Sequence, residues 1–324
     1  MIRRRIAAAA LAATSPFLLL ACSSPSDVGQ PETDVGEPET VTLGLIPIID
    51  VAPVYVGLDQ GFFEEEGIDL DISAGQGGAA IVPGVVSGDL DIGFGNNLSL
   101  VIASSAGLPL RVVASGVDST GDPERDPYTI LTADETIQRP ADLEGRTVAV
   151  NTVNAIGDTV VRSSVRADGG DPASISFVEL PFPNMNAALL SGDADAAWQA
   201  EPFITLGAQD GIRVLTTPLN DFTDVVVEVS TYFTAESFAA ENPEVLEGFT
   251  AAIEKSLEYS QENPDAVREI LPTFLEVTPE LASELILPRW DTAVSEETFE
   301  LFVELGETDE LLAGEVDLDA LLGR

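Results

Sequence analysis

The chain has 324 residues, 45% of them hydrophobic, and 14 basic against 56 acidic side chains, for a formal net charge of −42. It has no histidine and one cysteine, which excludes an imidazole base, a Ser-His-Asp triad, an intramolecular disulfide and a cysteine-based metal site. So acidic a chain is expected to bind neither nucleic acid nor an anionic membrane surface, because polyphosphate binding needs clustered Lys and Arg.

The amino terminus predicts export. Three arginines, Arg3 to Arg5, precede an apolar stretch, Ile6 to Leu20, that is shorter than the roughly 20 apolar residues of a spanning helix. It ends in Leu-Leu-Ala-Cys and resembles a bacterial lipobox, in which Cys22 would be acylated; a plain secretory peptide is the alternative. We expect a lipoprotein signal peptide over 1–21 and a flexible, Ser-, Pro- and acid-rich tether over 22–40.

Loss of this signal would leave 11 basic side chains against 56 acidic ones, a charge near −45. Acidic residues spread along the whole chain are typical of a surface adapted to a salty exterior, where counter-ions screen the self-repulsion. General acidic drift is the other explanation, and the two are compatible.

From Val41 onward, short β-rich segments alternate with helical stretches of roughly a dozen residues, which predicts an α/β fold of parallel sheets with crossover helices. A mature chain of about 300 residues suits two lobes. Strands are predicted at Val41–Ile46, Leu70–Ser73, Asp91–Phe94, Arg111–Gly116, Tyr128–Thr132, Thr147–Asn151, Ser176–Leu180, Asp195–Gln199, Arg213–Thr216 and Val225–Phe233. The remainder is predicted to be helical, with helices at Pro243–Glu262, Pro264–Phe274 and Glu296–Leu305.

One unit occurs twice. Ser87-Gly88-Asp89-Leu90-Asp91 through Phe94 is matched by Ser191-Gly192-Asp193-Ala194-Asp195 through Trp198, each after a helical stretch and each leading into a strand. A Ser-Gly-Asp turn ends the helix and reverses the chain. Because ligands bind outside the carboxyl ends of strands in open α/β sheets, Phe94 and Trp198 are expected on facing sides of one cleft.

Several motifs together resemble the nitrate/sulfonate/taurine and thiamine-pyrimidine-precursor group of periplasmic binding proteins. They are Pro53 to Ile68 (PVYVGLDQGFFEEEGI), Gly75-Gln76-Gly77-Gly78, the two Ser-Gly-Asp units, Gly107-Leu108-Pro109, Asp142 to Val150, and Glu201-Pro202. The resemblance implies a type II periplasmic-binding-protein fold, two lobes with central sheets joined by two hinge strands. Lobe 1 would hold 41–130 with 225–324 returning, and lobe 2 would hold 133–224.

The resemblance further implies a substrate-binding protein of an ABC transporter, a monomer that captures a small-molecule solute by hinge closure and delivers it to ABC permease subunits. It would touch the membrane only through its lipid anchor, on the extracytoplasmic face, and would carry no cofactor and no catalytic residue. A sensory module of the same fold is the alternative. Enzymes related to pyrimidine-precursor synthases are a distant third, since their cysteine-rich motif and active-site histidine are missing here.

Seven predicted loops at strand ends should line the cleft, and none contains Lys or Arg. A bare anion such as nitrate would require a charge-assisted donor, so we expect an amine or a nitrogen heterocycle, with a sulfonate held by backbone N–H groups still open. One of Asn151, Thr152 and Asn154 is expected to cap the following helix. The predicted ligand-binding residues are Asp50, Gly77, Asn96, Asn97, Asn151, Thr152, Asn154, Trp198, Gln199 and Glu201.

Overall fold

A computed structural model describes residues 38–324. The predicted signal peptide, the predicted acylation site Cys22 and all of the tether before residue 38 lie outside the described residues. The described residues form one compact unit.

Ten strands run through residues 38–324: β1 (Glu39–Leu45), β2 (Ile68–Ala74), β3 (Ile92–Asn96), β4 (Leu110–Asp118), β5 (Tyr128–Thr132), β6 (Thr147–Val150), β7 (Ser176–Glu179), β8 (Ala196–Ala200), β9 (Arg213–Thr216) and β10 (Glu228–Ala235). The α-helices of this part of the chain are α1 (Ala52–Gln60), α2 (Phe62–Glu65), α3 (Gly78–Ser87), α4 (Asn97–Ser105), α5 (Ile156–Ala167), α6 (Phe182–Ser191), α7 (Phe203–Gln209), α8 (Glu236–Glu241), α9 (Pro243–Glu262), α10 (Pro264–Ile270), α11 (Pro279–Glu284), α12 (Glu296–Thr308) and α13 (Leu318–Leu321).

The strands form two five-stranded sheets, one in each lobe. Sheet A has the order β2-β1-β3-β10-β4, and sheet B has the order β7-β6-β8-β5-β9. The chain crosses from sheet A to sheet B between β4 and β5 and returns between β9 and β10. The α/β fold with two lobes and two crossings is therefore confirmed.

The expectation of parallel sheets is correct only in part. Strands β1, β2 and β3 pair in parallel, as do β6, β7 and β8, and each parallel step is bridged by a helix. Strand β10, however, enters sheet A antiparallel to β3, and β5 enters sheet B antiparallel to β8. The reason is that each arrives from the other lobe rather than from a helix on its own sheet.

The predicted segments agree closely with the observed elements. Strands β5 and β9 and helix α9 have the predicted limits. Strand β10 begins at Glu228 rather than Val225, because the preceding residues belong to the crossing, where Val227 N donates to Ser119 Oγ at 2.9 Å. Helix α10 ends at Ile270 rather than Phe274, because Pro272 has no N–H to continue the helical pattern.

The two Ser-Gly-Asp turns have the same geometry. Gly88 and Gly192 both adopt φ 79° and end their helices in the left-handed conformation. The amides of Asp89 and Asp193 donate back to carbonyls in the last helical turn, at 2.9 and 3.0 Å. A left-handed residue with these backbone bonds is the usual glycine stop of a helix.

The aspartates that follow the turns also match. Asp91 Oδ2 accepts the Thr42 amide in sheet A, and Asp195 Oδ2 accepts the Thr147 amide in sheet B, each at 2.8 Å. Each carboxylate thus ties the start of a parallel strand to its neighbour. The repeat is structural as well as sequential, and the predicted internal similarity of the two lobes is confirmed at these turns.

None of the helices within residues 38–324 is both long and apolar enough to cross a bilayer.

Charge is poorly compensated on this fold. The ion pairs found among residues 38–324 involve only seven acidic residues, namely Glu65, Asp134, Asp158, Asp168, Asp195, Glu296 and Asp309. Most of the acidic surface therefore repels itself, and its energy depends on the screening length of the solvent.

Added salt should consequently stabilise the protein. The screening length falls from about 10 Å at 0.1 M salt to about 3 Å at 1 M, which weakens repulsion between neighbouring carboxylates. We expect the melting temperature, measured by calorimetry between 0.05 and 2 M KCl, to rise with salt. A charge-balanced protein of the same size is the control, and an equal response in both would contradict the prediction.

Candidate functional site

A small cavity lies between the carboxyl ends of the two sets of strands. The space left in it is about 20 Å³, little more than one water molecule requires, so the lobes are closed. Any larger molecule can enter only if the lobes separate. The lining residues come from both lobes: Ile46, Ile48, Asp50, Asn96, Val229 and Ser230 on the side of sheet A, and Tyr128, Asn151, Ile156, Phe182, Trp198 and Ala200 on the side of sheet B.

Four polar atoms of this lining are buried without a hydrogen-bond partner. They are Asp50 Oδ1, Tyr128 OH, Asn151 Oδ1 and Trp198 Nε1; the Asp50 carboxyl and the Tyr128 hydroxyl lie near each other but outside hydrogen-bonding geometry. A buried polar group without a partner costs about 1–3 kcal/mol. Four such groups converging on one cavity are typical of a site built to hydrogen-bond a ligand.

Asp50 lies in a short 3₁₀ turn, Ile49–Val51, directly before α1, and is 2% exposed. Burial raises the pKa of its carboxyl to about 7, although the nearby Tyr128 hydroxyl moderates that rise. Trp290 Nε1 donates to the Asp50 backbone carbonyl at 3.2 Å and fixes the turn. No Lys or Arg lines this cavity within residues 38–324, so Asp50 has no cationic side chain beside it there.

An aromatic wall faces Asp50 from the other lobe. The Trp198 ring lies 6.4 Å from the Tyr128 ring at an interplanar angle of 17°, and 5.8 Å from the Phe182 ring at 50°. Trp198 is held close to α5, since a Cβ on Gly157 would lie 2.9 Å from its ring. A flat ligand can stack on such a wall with its edge toward the polar atoms.

Phe94, the residue that corresponds to Trp198 in sheet A, does not reach the cavity. Its ring packs against Tyr232 in the core at 5.1 Å, and it is fully buried. The expectation that both aromatics face the cleft is therefore wrong for Phe94, because β10 lies beside β3 and covers this side chain.

The two asparagines after β3 have different surroundings. Asn96 lines the cavity, and its Oδ1 accepts the Ser99 amide at 2.9 Å, so it also caps α4. Asn97 points away from the cavity: its Nδ2 donates to the Glu228 carbonyl at 2.8 Å, and its Oδ1 accepts from Thr231 Oγ1 at 2.9 Å. In this closed state, Asn97 joins α4 to β10.

The loop between β6 and α5 brings one of its three predicted residues to the cavity, namely Asn151. Thr152 is buried behind it with an unpartnered hydroxyl, and Asn154 is exposed in the left-handed region, φ 53°. None of the three caps α5, so that expectation is wrong. Asp158, inside the first turn, instead accepts the amides of Asn154 and Ala155 at 3.1 and 2.8 Å.

Gln199 and Glu201 lie behind the aromatic wall. Gln199 Nε2 donates to the Phe182 carbonyl at 3.1 Å, which fixes an aromatic ring of the site. Glu201 is fully buried, and burial raises the pKa of its carboxyl, against hydrogen bonds from Thr205. Its Oε1 also accepts the Ile286 amide of the other lobe at 3.2 Å, so Glu201 is a contact of the closed lobes.

Gly77 lies where the lobes meet on the opposite side of the cavity. Asn151 Nδ2 donates to the carbonyl of the adjacent Gln76 at 2.9 Å. A Cβ on Gly77 would lie 2.8 Å from Asn151 Nδ2 and 3.1 Å from Thr152 Oγ1. A larger residue at this position would force the ends of the Asn151 and Thr152 side chains to move in the closed state.

Two polar lining residues were not found from the sequence. Ser230 pairs with Asn96 across β10 and β3, and Tyr128 pairs with Ala200 across β5 and β8. Tyr128 is the first residue of the segment predicted as Tyr128–Thr132, and Ser230 lies inside the segment predicted as Val225–Phe233, but the neighbours of both are set by non-local antiparallel pairing. The only sequence signal was that Tyr128 begins a strand directly after a polar loop.

Solved structures share this architecture. The alkanesulfonate-binding protein of Xanthomonas axonopodis pv. citri superposes with a TM-score of 0.70 at 15% identity, covering 86% of this chain and 95% of that one. The periplasmic nitrate-binding protein of Synechocystis gives 0.73 at 15% identity, covering 88% and 85%. Two lobes that close on a polar cavity between crossing strands define a periplasmic-binding-protein fold.

Residues 48–267 match the family described as NMT1/THI5 like, and the chain belongs to that family. Among its curated relatives, the formylaminopyrimidine-binding protein of Halalkalibacterium halodurans is 27% identical over 230 residues, covering 68% of this chain and 65% of the relative. The taurine-binding periplasmic protein of Escherichia coli is 28% identical over 208 residues, covering 64% and 62%. The match thus spans less than two thirds of the length of either relative.

Replacing Gly77 with Ala should shift the population toward open lobes, because the added methyl group would displace the ends of the Asn151 and Thr152 side chains, and with them the hydrogen bond from Asn151 to the Gln76 carbonyl. We expect small-angle X-ray scattering to show a larger radius of gyration with a melting temperature close to the parent value. The exposed neighbour Ala80→Ser is the control. A scattering profile equal to the control would show that the closed contact at Gly77 is not needed.

Proposed function

We propose that this protein is the extracytoplasmic solute-binding protein of an ABC importer, and that it has no catalytic activity. The observation that carries the proposal is the cavity of unpartnered polar groups enclosed between two lobes. A ligand in such a site can form hydrogen bonds with both lobes only when the lobes are closed. Because it then binds the closed state more tightly, it shifts the population toward that state. The relatives named as binding proteins for a formylaminopyrimidine and for taurine support this function.

The ligand in this proposal is a small nitrogen compound that carries positive charge or several N–H donors. Asp50 and Asn151 offer carboxylate and amide oxygens, and Tyr128 offers a hydroxyl that accepts or donates. Trp198 and its aromatic neighbours offer a stacking surface, which suits a planar ring such as an aminopyrimidine. A sulfonate or nitrate would find no charge-assisted donor among the lining residues described above.

A thermal-shift series tests the ligand class. Aminopyrimidines and small amines should stabilise the protein by about 2.7 kcal/mol at 100 times their dissociation constant, whereas nitrate and simple alkanesulfonates should not. Because the pKa of Asp50 is about 7, the carboxylate is charged above that pH and neutral below it. Affinity for a permanently cationic ligand should therefore rise as pH increases through 7, and Asp50→Asn should weaken binding and abolish this rise.

The control variant is Asp69→Asn, which removes an exposed carboxylate from β2. Stabilisation by anions alone would overturn the ligand class and leave the importer function standing. No stabilisation by any small solute, together with no change of scattering radius on adding them, would overturn the function itself.

We also propose that the protein is a monomer anchored by an acylated Cys22 on the outer face of the membrane, where permease subunits receive the ligand. The support is the lipobox-like sequence Leu19-Leu20-Ala21-Cys22 after a short apolar segment. The intact mass of the protein from membranes should include a diacylglyceryl group, and Cys22→Ser should release the protein from the membrane fraction. An unmodified soluble product with residue 22 intact would contradict the anchor.

A further inference from the structure

Helix α12 is fastened to the lobe of sheet A at both ends. Before it, Ser295 N donates to Glu228 Oε2 at the start of β10, at 2.9 Å. After it, Ala313 N donates to Ser105 Oγ at the end of α4, at 3.0 Å. Between these points Phe299 and Phe302 are fully buried. The helix therefore moves with this lobe when the lobes separate.

Asp309, the residue that follows α12, faces the other lobe. Its side chain is 1% exposed, and both of its cationic partners within residues 38–324 lie on α5. Arg162 Nη1 lies 3.5 Å from Oδ2, and Arg166 Nη2 contacts Oδ1. A carboxylate at the carboxyl end of a helix is disfavoured by the helix dipole, so these two arginines offset an unfavourable position.

Arg162 is also linked, through Asp158, to the loop that reaches the cavity. Arg162 Nη1 is also 2.9 Å from Asp158 Oδ2, and its guanidinium lies 4.7 Å from the centre of the Phe177 ring, which holds it in place. Asp158 accepts the amides of Asn154 and Ala155, in the loop that begins at the cavity residue Asn151. An unbroken series of polar contacts thus runs from α12 to the ligand loop.

We propose that Asp309, held by Arg162 and Arg166, is an inter-lobe latch: a positioning group that stabilises the closed state from outside the cavity. Separation of the lobes would leave this carboxylate at the negative end of α12 without its arginines, and closure restores charge-assisted hydrogen bonds. Because apparent affinity is proportional to the fraction of molecules able to close, the latch sets affinity without touching the ligand. This goes beyond the proposed function, since it concerns the lobes before any ligand binds.

The distance between spin labels on the two lobes tests the latch. Val86 and Leu190 are exposed by 37% and 53% at the two matching helix ends, on the sides of the sheets away from the cavity. Labels would be attached to Val86→Cys and Leu190→Cys in the full chain with Cys22→Ser, and distances measured by double electron–electron resonance without ligand. Asp309→Asn should raise the ratio of open to closed molecules by about fivefold or more, the lower end of ordinary coupling between sites.

Glu307→Gln is the matched control, because it removes one charge from an exposed position of the same helix that has no ion pair in the described chain. Arg166→Gln removes the contact between Arg166 and Asp309 from the α5 side, and it replaces Asp309→Asn in the test if that variant does not fold. The double variant should open the lobes no further than Asp309→Asn alone, since Arg166→Gln removes a contact that Asp309→Asn has already removed.

Distance distributions equal to that of Glu307→Gln in both single variants would overturn the latch. Additive opening in the double variant would overturn it as well, since the two groups would then act separately. Because no ligand is used, either failure leaves the proposed solute-binding function untouched, and a protein that binds no solute could still show the latch.

Discussion

Two crossings of the chain between the sheets determine where the polar groups of the cavity lie. Each crossing ends in an antiparallel strand beside the strand that carries the site, β10 beside β3 and β5 beside β8. Ser230 is thereby placed opposite Asn96, and Tyr128 opposite Ala200. Because the crossings join the lobes, the same two segments that line the cavity also form the hinge. In the proposed function, this arrangement would couple ligand contact to lobe movement.

The closed state buries polar groups that have no protein partner, and this is costly on its own. Contacts between the lobes offset part of that cost: the Ile286 amide donates to Glu201, the Asn151 side-chain amide donates to the Gln76 carbonyl at the edge of the cavity, and Arg162 and Arg166 pair with Asp309. The free energy of closure therefore depends on two opposing contributions: unpartnered polar groups in the cavity disfavour the closed state, and the contacts between the lobes favour it. A ligand that supplies the missing partners shifts this balance toward closure.

The few cationic side chains of this protein include several that pair with carboxylates from other elements. Arg139 joins the segment before β6 to Asp168 after α5, and Arg146 lies between Asp134 and Asp195. Lys255, the one lysine, contacts Glu65 and lies 4.2 Å from the Phe62 ring centre. The cations thus connect elements far apart in sequence, while the cavity has none in its lining. Asp50 therefore has no cationic side chain beside it in the cavity to oppose the rise in its pKa that burial causes.

Local sequence signals determined the elements of this protein. The alternation of apolar runs and turns located the strands, the glycines of the Ser-Gly-Asp turns located two helix ends, and the repeat predicted two lobes. Asp50, Asn96, Asn151 and Trp198, which the sequence predicted for the cleft from their positions at or after strand ends, line the cavity, and their role in binding stays a prediction. Only the tertiary structure showed that Tyr128 and Ser230 line the cavity and that Phe94 and Asn97 do not. The pairing of Asp309 with α5 was likewise visible only in the tertiary structure. Each of these depends on a partner from another part of the chain, and pairing over such separations is set by the packing of whole lobes rather than by neighbouring residues.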